Sequence, residues 1–146
     1  MNAKDLIGTW SLESAQARSS GGAVMLPLGD SPRGFLTYTA DGYMAAVLMR
    51  NGRPKFGSGD FGNGTPDEIK QAFEGFDAYA GPYDFDKKSG TVTHHAEVAR
   101  FPNWEGSAQV RYARILDDIL YLTTPPVLIR GGNWIAILTW KRVAAR

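Results

Sequence analysis

The stretch Phe35-Leu-Thr-Tyr-Thr-Ala-Asp-Gly-Tyr-Met-Ala-Ala-Val-Leu-Met49 holds two extended runs around Asp41-Gly42. Phe35–Thr39 and Tyr43–Met49 are rich in β-branched and aromatic residues, and Asp-Gly supplies the positive backbone angles of a tight turn, so the segment reads as a β-hairpin. Upstream, Leu6–Ala15 reads as a strand in which Leu6, Gly8, Trp10, Leu12 and Ser14 share a face, with Trp10 turned to a core. Downstream, Tyr79–Phe85, Gly90–Arg100, Ser107–Ile115, Ile119–Thr124 and Asn133–Arg142 read as further strands. They are separated by the turn signals Lys87-Lys-Ser-Gly90, Pro102-Asn103, Asp117-Asp118 and Gly131-Gly132.

Arg50–Asn63 is polar and glycine-rich with no periodic apolar face, which predicts a loop of a length that often serves function. Thr65-Pro-Asp-Glu68 then offers a capping hydroxyl, Pro at the first helical position and Glu three residues after the cap. Ile69, Ala72, Phe73 and Phe76 follow at helical spacing, which predicts one amphipathic helix over 66–77. Eight strands and one helix, with no strand–helix alternation, predict an all-β antiparallel fold. Eight up-and-down strands can close on themselves, which removes every sheet edge and leaves an interior of the size of one small ligand. A closed barrel in a single domain spanning 1–146 is the expected architecture.

Composition narrows the function classes. Sixteen basic against fifteen acidic residues give a net charge of +1, too little to attract nucleic acid or an anionic membrane surface. With no Cys, disulfides, thiolate nucleophiles and Cys-ligated metals are excluded. No apolar run has the length of a membrane span and the N-terminus lacks an export-type apolar segment, so a soluble, cytoplasmic protein is expected. Gly59–Gly64 lacks the Lys-Ser/Thr of a phosphate loop, and no nucleophile elbow of the serine hydrolases is present.

Gly8-Thr9-Trp10 at the start and Trp140-Lys141-Arg142 at the end together resemble the lipocalin and calycin pattern, in which a basic residue of the last strand lies over the Trp of the first. Pro32-Arg33-Gly34, Tyr38–Tyr43, Gly90-Thr-Val-Thr-His-His95, Phe101-Pro-Asn-Trp104 and Leu122-Thr-Thr-Pro-Pro126 are similar to the standalone lipocalin-like domain family of bacteria and fungi. The resemblance spans nearly the whole chain and implies a calyx-shaped barrel with a pocket for a small, largely apolar molecule. It implies much less about chemistry, because a fold does not carry a reaction with it.

The chemistry-bearing residues concentrate on a few strands. In Gly90–Arg100 the alternation puts His94 with Val92, Ala96 and Val98, and His95 with Thr93 and Glu97. The inner wall is either the apolar face with His94 or the face bearing His95 and Glu97, so His95, His94 and Glu97 are the catalytic candidates, with Glu97 placed to orient His95 as general acid/base. Adjacent strand histidines cannot both reach one interior metal, and no metal or cofactor is expected. Tyr38, Tyr43 and Tyr79 are candidate ligand contacts, since a wall phenol can hold a ligand oxygen while its ring packs on apolar surface. Arg111 is the candidate inward cation, with Glu97 on the adjoining strand as its partner. Trp104 at the barrel mouth and Phe73 on the lid-like helix complete the ligand-binding set. Arg142 over Trp10 is expected to be structural.

The favoured function is binding of a small hydrophobic or aromatic, oxygenated metabolite, with a homodimer left open. The alternatives are a cofactor-independent isomerase, cyclase or lyase using a barrel His, and an interaction module whose barrel is filled by its own side chains.

Overall fold

The computed structural model describes every residue from Met1 to Arg146. A short helix α1 (Ala3–Leu6) precedes eleven strands: β1 (Gly8–Ser19), β2 (Val24–Met25), β3 (Arg33–Tyr38), β4 (Tyr43–Met49), β5 (Phe76–Asp86), β6 (Thr91–Ala96), β7 (Val98–Ala99), β8 (Ser107–Leu116), β9 (Ile119–Thr123), β10 (Val127–Ile129) and β11 (Gly132–Arg142). Helix α2 (Pro66–Glu74) lies between β4 and β5, and a 3₁₀ turn covers Pro102–Trp104. Eight of these strands pair in the cyclic order β1-β3-β4-β5-β6-β8-β9-β11, and β11 returns to β1 from Trp10↔Arg142 to Ser19↔Trp134. All the pairings are antiparallel, so the expected closed eight-stranded barrel is borne out.

The hairpin forms from Arg33↔Met49 to Tyr38↔Met44, and of the Asp41-Gly42 pair only Gly42, at φ 92°, takes a positive backbone angle. Leu36, Tyr38, Met44, Ala46 and Leu48 point inward and are buried. The opposite parity leaves Tyr43 outside, 53% exposed.

The floor of the barrel is sealed by its two termini. Trp10 is fully buried and its indole N–H donates to the Leu6 carbonyl at 2.9 Å. Arg142 lies over the Trp10 ring at 4.0 Å and donates to the carbonyls of Ile7 (3.1 Å) and Asp5 (2.6 Å), which satisfies the end of α1. Leu6 thus belongs to the plugging helix rather than to the first strand.

Three other differences from the sequence reading have local causes. A bulge between Leu12 and Ser14 reverses the parity of β1, so Ala15 and Ala17 face inward in place of Ser14. Helix α2 stops at Glu74 because the chain from Phe76 is taken up by β4 through Met49↔Phe76, leaving Phe76 and Asp77 in a strand. Gly90–Arg100 is broken at Glu97 into β6 and β7, and Val98 turns outward, 63% exposed. The break sits opposite Gly81, where a Cβ would run into the His95 carbonyl oxygen. No helix is long and apolar enough to cross a membrane.

Candidate functional site

Inside the barrel, β3, β5 and β6 bring Tyr38, Tyr79 and His94 together. Val92, His94 and Ala96 are fully buried on the inward face of β6, and Arg111 faces His94 from β8 through the Val92↔Arg111 and His94↔Gln109 pairings. The Tyr38 hydroxyl lies 2.6 Å from His94 Nε2, and the Tyr79 hydroxyl lies 2.8 Å from His94 Nδ1. Tyr83 supports the cluster by an edge-to-face contact with Tyr38, with ring centroids 4.8 Å apart.

Burial disfavours charge here. It pushes the His94 pKa down to about 3, helped by the Arg111 cation, so the imidazole is neutral near pH 7. Burial likewise pushes the Tyr38 hydroxyl well above the usual phenol range, reinforced by Tyr79, and raises the Tyr79 hydroxyl against the opposing pull of the Arg111 guanidinium beside it. A neutral imidazole carries one N–H and each phenol one O–H, making three protons, and the two hydrogen bonds use two of them. One phenol O–H is therefore left to donate elsewhere. Tyr38 is 1% exposed and Tyr79 8%, and Tyr79 lies beside Arg111. A buried O–H without an acceptor costs about 1–3 kcal/mol. The arrangement in which Tyr38 donates to Nε2, and Nδ1–H donates to Tyr79, leaves the spare proton on the less buried phenol.

Toward the mouth, the Trp104 ring meets Tyr79 edge-on at 5.2 Å, Phe101 at 6.3 Å, and has the Arg111 guanidinium 5.7 Å from its centroid. Arg111 is 7% exposed and donates to the Val110 carbonyl at 2.9 Å. Asp77 and Arg100 form an ion pair at 3.5 Å, yet Asp77 Oδ1 and Arg100 Nε are buried without a hydrogen bond. Burial raises the Asp77 carboxyl above its usual range, with Arg100 opposing. Arg100 also stacks on Phe73 of α2 at 4.1 Å and donates to its carbonyl at 3.2 Å, which ties the helix to this rim.

The other sequence candidates lie elsewhere. His95 points out of the barrel and pairs with Asp84 at 2.7 Å, not with Glu97. Glu97 is exposed at the strand break and makes no ion pair with Arg111. Tyr43 is on the outer face and Phe73 is 48% exposed on α2. Asp77 escaped the sequence reading because it was assigned to the end of the helix. No three His, Asp or Glu side chains gather in a metal-binding group.

The interior is largely filled by side chains, among them Trp10, Trp140, Tyr38, Leu36 and Leu120. A hollow of about 320 Å³ is a groove on the outer side of β4, β5 and β7, floored by Ala45, Ala78 and Ala80. A second of about 230 Å³ lies between Arg18–Ser20 and Asn133–Ile137. Tyr79 borders the first of these, and neither is lined by Tyr38, His94 or Arg111.

Residues 7–143 match the profile of the lipocalin-like domain family. The chain belongs to this family. The lipocalin-like barrel is 34% identical over 107 residues to the 4'-hydroxy-3'-methoxypropiophenone carrier protein of Aspergillus oryzae, an alignment covering 68% of this chain and 96% of that protein. No solved structure gives a significant match. The lipocalin-like family and the carrier relative support binding of a small molecule by the barrel.

Proposed function

We propose that this lipocalin-like barrel carries a small aromatic molecule with a carbonyl or hydroxyl oxygen, seated between Trp104 and the Tyr38–His94–Tyr79 cluster. The observation that carries the reading is the spare phenol proton beside a buried guanidinium, a pair of donors suited to one ligand oxygen. Trp104 and Phe101 supply aromatic surface for the ligand ring. The relative's name specifies an aromatic ketone with a ring hydroxyl and a ring methoxyl, a molecule that offers both features. Because side chains occupy the interior, entry requires Trp104 and the rim around Arg100 and Phe73 to move aside.

Carriage is favoured over acid/base catalysis by the state of the buried histidine. Both ring nitrogens of His94 are engaged by phenols, so no free lone pair remains to take a substrate proton, and His95 lies outside the barrel. The test is titration of the protein with 4'-hydroxy-3'-methoxypropiophenone, followed by tryptophan fluorescence. Saturable quenching is expected, about tenfold weaker in Tyr79→Phe, since one neutral hydrogen bond is worth roughly 1–1.5 kcal/mol. Absence of saturable binding to this compound and to a panel of aromatic ketones and phenols would overturn the reading.

A further inference from the structure

Arg111 is a buried cation without a counter-ion. Of the three ion pairs in the molecule, none includes it, and its guanidinium donates to the carbonyl of its own neighbour Val110 and lies against the neutral Tyr79 hydroxyl. A guanidinium has five N–H donors, and removing one from water is unfavourable unless a carboxylate, an anion or water meets it. The groups that face it are Tyr38 on β3, Asp77 and Tyr79 on β5, His94 on β6 and the Trp104 ring. Of these only Asp77 can be negative, and its ion-pair partner is Arg100. The mouth half of the barrel therefore holds two guanidiniums against one carboxylate.

From this geometry we infer that the ligand binds as an oxyanion, the ionised form of an acidic phenol or enol, with its O⁻ taking hydrogen bonds from Arg111 and the Tyr79 hydroxyl. The inference rests on the carrier reading and specifies the charge of the bound molecule. No bond to carbon forms or breaks: the ligand hydroxyl gives its proton to solvent and the anion enters the site. An anion at this position gives Arg111 the direct ion pair that no side chain makes with it. A phenol conjugated with a para carbonyl suits the site, because its negative charge spreads onto the carbonyl oxygen and it ionises more readily than an ordinary phenol, whose pKa is about 10.

The experiment compares para-hydroxyacetophenone with its methyl ether, para-methoxyacetophenone, which keeps the ring and ketone but cannot ionise. Binding of each is measured from about pH 6 to about pH 9, together with the absorption spectrum of the bound phenol, since a phenolate absorbs at longer wavelength. The bound phenol is expected to show the phenolate spectrum below its solution pKa. Its affinity should rise about tenfold per pH unit until that pKa is passed. The ether should bind at least about tenfold more weakly and without this pH dependence, and that second feature separates ligand ionisation from titration of Asp77. Arg111→Lys should keep part of the phenolate shift and Arg111→Met should abolish it while the ether still binds. The wild-type spectrum decides the matter even if neither variant folds. A neutral-phenol spectrum throughout, or equal affinity for both compounds, overturns this inference and leaves the carrier reading standing. Binding of neither compound at any pH overturns both.

Discussion

His94 sits with a phenol against each ring nitrogen, and that placement makes its protonation a stability term. Its folded pKa of about 3 lies below the unfolded value near 6.5, so as pH falls through this window the unfolded chain takes up the proton first. Stability is therefore full above about pH 6.5 and is lost progressively toward pH 3, by on the order of 4 kcal/mol from this one group. Urea unfolding at about pH 7 and about pH 4.5 should show a drop on the order of 2–3 kcal/mol in the wild type that His94→Gln lacks. An identical pH dependence in the two proteins would remove the buried neutral imidazole from the account. The alternation placed His94 and His95 on opposite faces but left open which of them points inward. The hydrogen-bond partners of His94 were not legible, because Tyr38 and Tyr79 lie 56 and 15 positions away along the chain.

At the level of elements, the helix start was readable to the atom. Thr65 Oγ1 accepts from the Glu68 amide at 3.2 Å, and the Glu68 carboxylate accepts from the Thr65 amide and, across the preceding loop, from the Gly57 amide, both at 2.8 Å. Thr65→Ala should cost about 1 kcal/mol and lower Tm by roughly 3 °C in a thermal melt. Glu68→Ala should in addition speed limited proteolysis around Gly57, since it removes one of the loop's two ties to the helix and leaves the Arg53 bond to the Ala72 carbonyl. The strand break at Glu97 was illegible, since a bulge is set by what the partner strand tolerates and carries no periodicity of its own. There the partner residue is Gly81. Gly81→Ala pushes a methyl group into the His95 carbonyl and should cost well over about 3 kcal/mol, read as lost soluble yield or an early urea transition. Wild-type stability of that variant would mean that the β5–β6 pairing relaxes more easily than close packing implies.

For the whole molecule, closure between the first and last strands is the decisive contact. Nine residue pairs join β1 to β11, and Trp10, Trp140 and Arg142 cluster at the end of that seam. Amide exchange should be slowest along this seam and fastest in 50–63 and around β10, and early exchange of Leu12 or Trp140 would show that the barrel opens there first. Trp10→Ala should destabilise by about 3–5 kcal/mol in chemical unfolding, because it empties a fully buried site under the floor helix. The eight barrel strands, the Asp41-Gly42 turn, the helix cap and the Trp10–Arg142 pair were written in the sequence, because alternation, turn chemistry and capping act over a few residues and the terminal pair belongs to the family pattern. The tertiary structure alone decided that His94 rather than His95 meets the tyrosines, that Arg111 is buried without a carboxylate, and that Asp77 stands at the rim. Those facts depend on bulges and on the registers of strands distant in sequence, and each bulge reverses every side chain beyond it, so no local pattern can carry them.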